Sequence, residues 1–179
     1  MTTSPLRRSL LALASAAALC LASTSPAWAD DDDNSNDEKS TTIQFKASVT
    51  ITEVVGGGNA NCMAIGAITG TGHATDMGPV TVSAFDCINF SSPTSFTFQT
   101  LKDTKVVLTS VAGEQLFGTY KGTATPQPFP IMVISGTVTF KGGTGRFIRA
   151  TGTGTITGVE NIGTQPATGV LVVSGKLAL

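Results

Sequence analysis

The stretch Gly136–Gly158, GTVTFKGGTGRFIRATGTGTITG, decides the fold that the sequence predicts. Up to Lys141, apolar residues and glycine alternate with threonine, which is the two-residue period of a strand with one buried face. The glycines between Lys141 and Arg146 predict a tight turn. From Ile148 a second strand carries threonine on one face and mainly glycine or alanine on the other. So many glycines weaken a flat sheet but suit a small closed barrel, whose strands bend and whose interior alternates small and large residues. The stretch therefore predicts a hairpin of a β-barrel rather than of a sandwich.

Short strands are also predicted on both sides of this hairpin, separated by glycine, proline or polar turns. No convincing amphipathic helix interrupts them, and residues 41–179 have the length of one domain. Strands adjacent in sequence are expected to pair in space, as in a meander. The predicted fold class is all-β, a single small antiparallel β-barrel of about eight or nine strands. Outside the hairpin, the predicted strands are Phe45–Thr52, Met63–Thr71, Val80–Ile88, Ser95–Thr100, Lys105–Ser110, Gln115–Ala124 and Thr168–Leu177.

Residues 1–29 have the pattern of a cleaved signal peptide. An arginine pair precedes the apolar run Leu10–Leu21, and Ala27-Trp28-Ala29 matches the small-x-small cleavage site. The run is shorter than the ~20 residues that a membrane-spanning helix needs, so no transmembrane segment is expected. Lipidation at Cys20 and twin-arginine export are weaker alternatives, since Cys20 lacks a small residue before it and one arginine pair is a faint signal. Cleavage after Ala29 predicts a secreted or periplasmic protein.

Residues 30–40, DDDDNSNDEKS, are predicted to form a disordered acidic linker, because nothing in them is apolar and their like charges repel. Their spacing does not match a loop that wraps a calcium ion. From Thr41 onward the chain carries six acidic and eight basic residues, spread along its length. No basic stripe with interleaved aromatic residues occurs, so nucleic-acid binding is not expected.

Three short motifs carry a resemblance to a known family. Gly142–Phe147, GGTGRF, followed by Ala150–Gly152, resembles the signature of the allene oxide cyclase barrel-like group, which includes plant dirigent proteins and many secreted bacterial proteins. Gly72–Gly78, GHATDMG, and Glu114–Gly122, EQLFGTYKG, resemble the bacterial members. With the strand pattern, the resemblance covers most of Thr41–Leu179 and implies the barrel fold, with GGTGRF as a turn that helps to close it. No active-site residue of the cyclases or dirigent proteins can be placed on this chain.

The predicted mature chain keeps two cysteines, Cys62 and Cys87, which are 25 residues apart. An even pair in an exported chain predicts a disulfide. If the strand after Cys62 pairs with the strand that ends near Cys87, both cysteines lie at the same end of that hairpin. Two free buried thiols are the alternative. A zinc site would need more ligands, and the chain has one histidine, so no metal is predicted.

Five residues are candidates for binding a small ligand, namely His73, Asp76, Glu114, Tyr120 and Arg146. An imidazole oriented by the Asp76 carboxylate can act as a general base for a nearby hydroxyl. The alternative is a pair of polar turn residues, since no nucleophile elbow such as G-x-S-x-G accompanies them. Arg146 can hold a carboxylate or phosphate at a barrel rim, and Glu114 and Tyr120 can belong to a pocket in the mouth. Turn and surface contacts, or an ordinary strand aromatic for Tyr120, are the alternatives.

The sequence contains no P-loop, dinucleotide-binding context, HExxH motif or EF-hand loop, so no cofactor and no catalytic residue is predicted. The first hypothesis is an exported barrel that binds a small apolar molecule or has a structural role at the cell envelope. The alternative is an isomerase- or cyclase-like enzyme, or a dirigent-like orienting protein, acting on a small hydrophobic substrate in the barrel. The threonine-rich face Thr151–Thr157 would suit an interface in a homo-oligomer.

Overall fold

The computed structural model describes residues 41–179, and the predicted signal peptide and acidic linker lie outside the described residues. The described chain forms nine β-strands and one short 3-10 helix, Gly145–Phe147. No helix within residues 41–179 is long and apolar enough to cross a membrane. The strands are β1 (Thr42–Gly57), β2 (Ala64–Ala74), β3 (Gly78–Phe90), β4 (Phe96–Thr100), β5 (Val106–Ser110), β6 (Gln115–Pro126), β7 (Ile131–Gly143), β8 (Thr151–Asn161) and β9 (Ala167–Ala178).

The strands close into an antiparallel barrel, because β1 pairs with both β2 and β9 and the remaining pairings complete the circle. Strands β4 and β5 lie end to end in one position between β3 and β6. Strand β4 pairs with the second half of β3, and β5 pairs with the first half. Nine strands therefore fill the eight positions of the barrel. The predicted all-β antiparallel barrel is confirmed, and its meander order changes only where β4 and β5 share a position.

The inner surface follows the alternation that the sequence shows. Strand β1 buries every second residue from Phe45 to Glu53 and exposes those between them. Strand β8 turns its threonines outward and its glycines inward. Its Gly154 pairs with Gly175 of β9, and a Cβ added to Gly175 would lie 2.5 Å from the Cα of Gly154. The two strands approach this closely because both positions are glycine, as expected for a small bent barrel.

The connection between β7 and β8 is longer than the predicted tight turn. The second strand was expected to begin at Ile148 with this side chain facing inward. Instead β8 begins at Thr151, and the Ile148 side chain is 70% exposed. Gly142 and Gly145 have positive φ angles of 85° and 57°, which glycine adopts at no steric cost. The 3-10 helix Gly145–Phe147 precedes β8 and places Phe147 inside the end of the barrel, with 0% of its surface exposed. The prediction was wrong here because a tertiary contact, the burial of Phe147, delays the start of the second strand to Thr151.

The two ends of the barrel differ. At the end that holds the β7–β8 connection, Leu116, Phe147, Ala150 and Leu177 are fully buried and close the barrel. The opposite end is formed by residues 58–63, 91–95, 127–130 and 162–166, which connect β1 to β2, β3 to β4, β6 to β7, and β8 to β9. None of these four loops contains a charged residue. We call the two ends the closed end and the open end.

The predicted disulfide lies at the open end. Cys62 and Cys87 are bonded, with their Cα atoms 5.2 Å apart, and both side chains are buried. The bond ties the β1–β2 loop to the last part of β3. In the chain-entropy view, a cross-link that closes a loop of this length stabilises a fold by roughly 3 kcal/mol. The pairing is therefore confirmed, and it stabilises one side of the barrel mouth.

Candidate functional site

The barrel contains a cavity of about 450 Å³, whose lining reaches the open-end residues Met63, Ile162 and Gln165. Phe45 and Phe140 form its floor and meet edge to face, with ring centroids 5.0 Å apart. Pockets of this volume hold small organic molecules. Aliphatic side chains form most of the wall, including Val49, Ile51, Val82, Leu108, Ile134 and Ile156.

Three carboxylic acids, Glu53, Asp86 and Glu160, lie in this apolar wall. They come from β1, β3 and β8, and their relative exposures are 6%, 4% and 8%. Each continues the inward alternation of its strand, so the backbone turns it inward together with its apolar neighbours. Glu53 is eight residues from Phe45, which at about 3.3 Å per residue and a strand tilt of about 40° places it about 20 Å above the floor. The acids therefore lie just below the mouth, with the apolar chamber beneath them.

Small residues beside the acids leave the space that their carboxyl groups occupy. Gly66 of β2 pairs with Asp86, and a Cβ at Gly66 would contact both Glu53 Oε1 and Asp86 Oδ1. Gly169 of β9 pairs with Glu160, and a Cβ there would lie 3.2 Å from the Glu160 Cβ. Glycine at position 66 thus leaves room for the carboxyl groups of Glu53 and Asp86, at the cost of side-chain packing. The three acids form what we call the acid cluster.

Burial and mutual repulsion favour the neutral form of these acids. Burial raises the pKa of Glu53 to about 7, and the charge of Asp86 adds to this. Burial likewise raises the pKa of Asp86 to about 6, and that of Glu160 to about 8 with a further contribution from the charge of Glu53. Neighbouring carboxyl groups also hydrogen bond to each other only when one of them is protonated. The acid cluster therefore retains protons at neutral pH.

The part of the chain that the structure describes offers the acid cluster no cationic partner in the cavity. No lysine, arginine or histidine is among the described residues that line the cavity. One oxygen of each of the three carboxyl groups is buried without a hydrogen-bond partner among the described residues. Buried polar groups in folded proteins are nearly always paired, so three such oxygens in one cavity mark a place that can accept hydrogen bonds.

Tyr120 of β6 is the sequence-predicted ligand residue that lines the cavity. Its hydroxyl is buried and has no hydrogen-bond partner within residues 41–179, and its ring centroid lies 6.1 Å from that of Phe98. Burial raises the pKa of Tyr120, and the charges of Asp86, Glu53 and Glu160 raise it further. The hydroxyl therefore stays protonated and can donate a hydrogen bond into the cavity.

The other four predicted ligand residues lie outside the cavity. His73 belongs to β2 rather than to a turn and is exposed, and Asp76 lies in the β2–β3 turn with φ 61°. Glu114 and Arg146 form an ion pair at the closed end, with Arg146 Nε 3.3 Å from Glu114 Oε2. The backbone N–H of Arg146 also donates to Glu114 Oε1 at 3.2 Å. The structure thus brings Glu114 and Arg146 together as a turn contact, and it separates both from Tyr120.

The sequence reasoning missed the acid cluster, although a signal for it was present. The alternation that marks Ile51 as inward also marks Glu53, and the inward face of β8 leads from Ile156 to Glu160 in steps of two. No group of three or more His, Cys, Asp or Glu side chains within residues 41–179 is arranged so that it could hold a metal ion. The cluster is therefore a set of proton-holding acids in an apolar cavity.

No protein-family model, curated protein or solved structure matches this chain, so the resemblance to the allene oxide cyclase barrel-like group stays a prediction.

Proposed function

We propose that this protein binds a small, mainly apolar molecule in its barrel. The observation that carries the proposal is the cavity of about 450 Å³, which has aliphatic and aromatic walls, a closed floor and an open mouth. Burying apolar surface is worth roughly 25 cal/mol per Å², so such walls favour an apolar occupant. The four uncharged loops at the open end support the same conclusion, because a molecule entering there passes no exposed charge.

The proposal includes export. The signal-peptide pattern of residues 1–29 supports it, and so does the disulfide between Cys62 and Cys87, because disulfides persist in oxidising compartments. We place the protein in the periplasm or the extracellular medium as a carrier or a binding protein of the cell envelope.

A fluorescence titration of the full chain with diphenylhexatriene, a neutral apolar dye, tests the binding function. We expect saturable binding of one dye per chain. Ala84→Trp fills the cavity from β3 and should weaken binding at least tenfold, whereas Thr153→Trp adds the same side chain to an exposed position and should not. Equal binding by both variants, or an absence of saturation in the unmodified protein, would show that the cavity does not bind the dye.

A second candidate is a proton-transfer isomerase, and the acid cluster favours it. A carboxyl group with a pKa near 7, such as that of Glu53, can both donate and accept a proton at neutral pH. The two functions differ in what happens to the ligand. A compound that co-purifies with the protein, identified by native mass spectrometry, would be returned unchanged by a binding protein and converted to an isomer of the same mass by an enzyme.

A further inference from the structure

We propose that the ligand is an amphipathic amine, whose apolar body occupies the chamber and whose cationic nitrogen is held by Glu53, Asp86 and Glu160. This inference rests on the proposed binding function and names its ligand class. An apolar cavity alone would favour a neutral ligand, so a preference for a cationic head group is a separate prediction.

The acid cluster lies near the mouth of the cavity. Each of its three residues is more than nine-tenths buried and has a buried carboxyl oxygen that no described residue hydrogen bonds. On the inner face of β1, only Val55 lies between Glu53 and the mouth. A head group placed at the acids therefore leaves the apolar floor and walls, down to Phe45 and Phe140, for an extended body.

The charge around the acid cluster favours a cationic head group. The titratable groups that face the cluster are Glu53 from β1, Asp86 from β3, Tyr120 from β6 and Glu160 from β8. The cavity-lining residues of the other strands are not ionisable, and Gly66 and Gly169 lie beside the acids. An anionic head would be repelled by this set, and a neutral head would leave the carboxyl groups protonated. A cationic head compensates their charge and donates hydrogen bonds to them, which are the strongest kind available here.

Aromatic side chains line the cavity beside the mouth. Phe90, Phe96, Phe98 and Tyr120 all line the cavity, and the rings of Phe90 and Phe96 lie 4.8 Å apart. Aromatic faces attract ammonium groups, including alkylated ones that donate few hydrogen bonds. Carboxyl groups and aromatic rings therefore occur together in the upper cavity, and this combination of groups recognises organic cations.

Calorimetric titration of the full chain with decylamine, decanol and decanoate, below their aggregation concentrations, tests the inference. At pH 7.5 we expect decylamine to bind at least tenfold more tightly than decanol, and decanoate more weakly than either. The double variant Glu53→Gln, Glu160→Gln should bring decylamine and decanol within about twofold of each other while decanol affinity is retained. Glu114→Gln, the same substitution at the closed end, should change none of the three affinities.

The unmodified protein provides a test that does not depend on the variants folding. Lowering the pH from 8 to 5 should weaken decylamine binding at least tenfold, because the acids take up protons, and should leave decanol binding unchanged. Equal affinity for decylamine and decanol, or tighter binding of decanoate, would overturn the amine inference and leave the binding function standing. If none of the three binds and the apolar dye does not bind either, both proposals fail together.

Discussion

Replacing Glu53 by glutamine should make the protein more stable at pH 8. Glutamine has the shape of the protonated carboxyl group and carries no charge. Because the folded-state pKa of Glu53, about 7, is above its ordinary value of 4.5, the folded protein holds more protons than the unfolded chain between these pH values. Its stability therefore falls as the pH rises through this window, and the loss is complete above it. The variant lacks this loss.

The size of the effect follows from the same two values. Each unit of difference in pKa between the folded and unfolded states is worth about 1.4 kcal/mol. The rise of the Glu53 pKa from 4.5 to about 7 therefore corresponds to about 3 kcal/mol of stability lost at pH 8. For a domain of this size that is about 10 °C in Tm. At pH 4.5 the group is largely protonated in both states, and the variant should lie within about 0.5 kcal/mol of the unmodified protein.

Urea denaturation at the two pH values, followed by circular dichroism, measures this difference. Glu114→Gln is the matched control, since it removes a partly exposed ion pair with Arg146 and should change stability by less than about 1 kcal/mol at either pH. A Glu53→Gln variant that is no more stable than the unmodified protein at pH 8 would refute the reasoning. An unmodified protein whose stability rises between pH 4.5 and pH 8 would also refute it. Either result would mean that ionisation of the acid cluster does not lower the free energy of unfolding.

Two further substitutions test the packing that surrounds the site, each with a control of the same kind. Gly66→Ala should destabilise the protein by about 1–3 kcal/mol in urea denaturation, because its Cβ overlaps two carboxyl groups, whereas Gly57→Ala points into open space and should have little effect. Phe147→Ala should cost about 3–5 kcal/mol because it opens the closed end, while Ile148→Ala, at an exposed neighbour, should stay within about 0.5 kcal/mol. Equal effects within either pair would contradict the assigned roles.

Local sequence pattern predicted most of the fold. The alternation in β1 and β7 assigns the inward face correctly, because a strand with one buried face has a period of two whatever its partners are. The shared position of β4 and β5 was not predictable in this way. Both segments were recognised as strands, but the fact that both pair with β3 depends on lateral contacts that local pattern does not encode. The late start of the second hairpin strand, at Thr151 rather than Ile148, has the same origin, because it depends on the burial of Phe147.

The candidate site was predicted less well, and the reason is physical. A charged residue in a strand normally lies on the solvent side, so Glu53, Asp86 and Glu160 were not expected in the interior. The five residues proposed instead were chosen for the chemistry of their side chains, and only Tyr120 lies in the cavity. Side-chain chemistry was therefore a poor guide when the inward or outward direction of each strand position was not considered. The alternation of β1 by itself would have marked Glu53 as inward-facing.

The glycines that predict the fold also explain the site. Glycine on the inner face lets strands approach and bend, but it contributes no side chain to fill the interior. A barrel whose inner wall alternates glycine with larger residues can therefore keep an open chamber, and Gly66 leaves space for the carboxyl groups of Glu53 and Asp86. A fully packed interior would have no room for three carboxyl groups that lack a cationic partner. Neither the small residues nor the buried acids stabilise the empty barrel, which supports the proposal that the cavity serves binding.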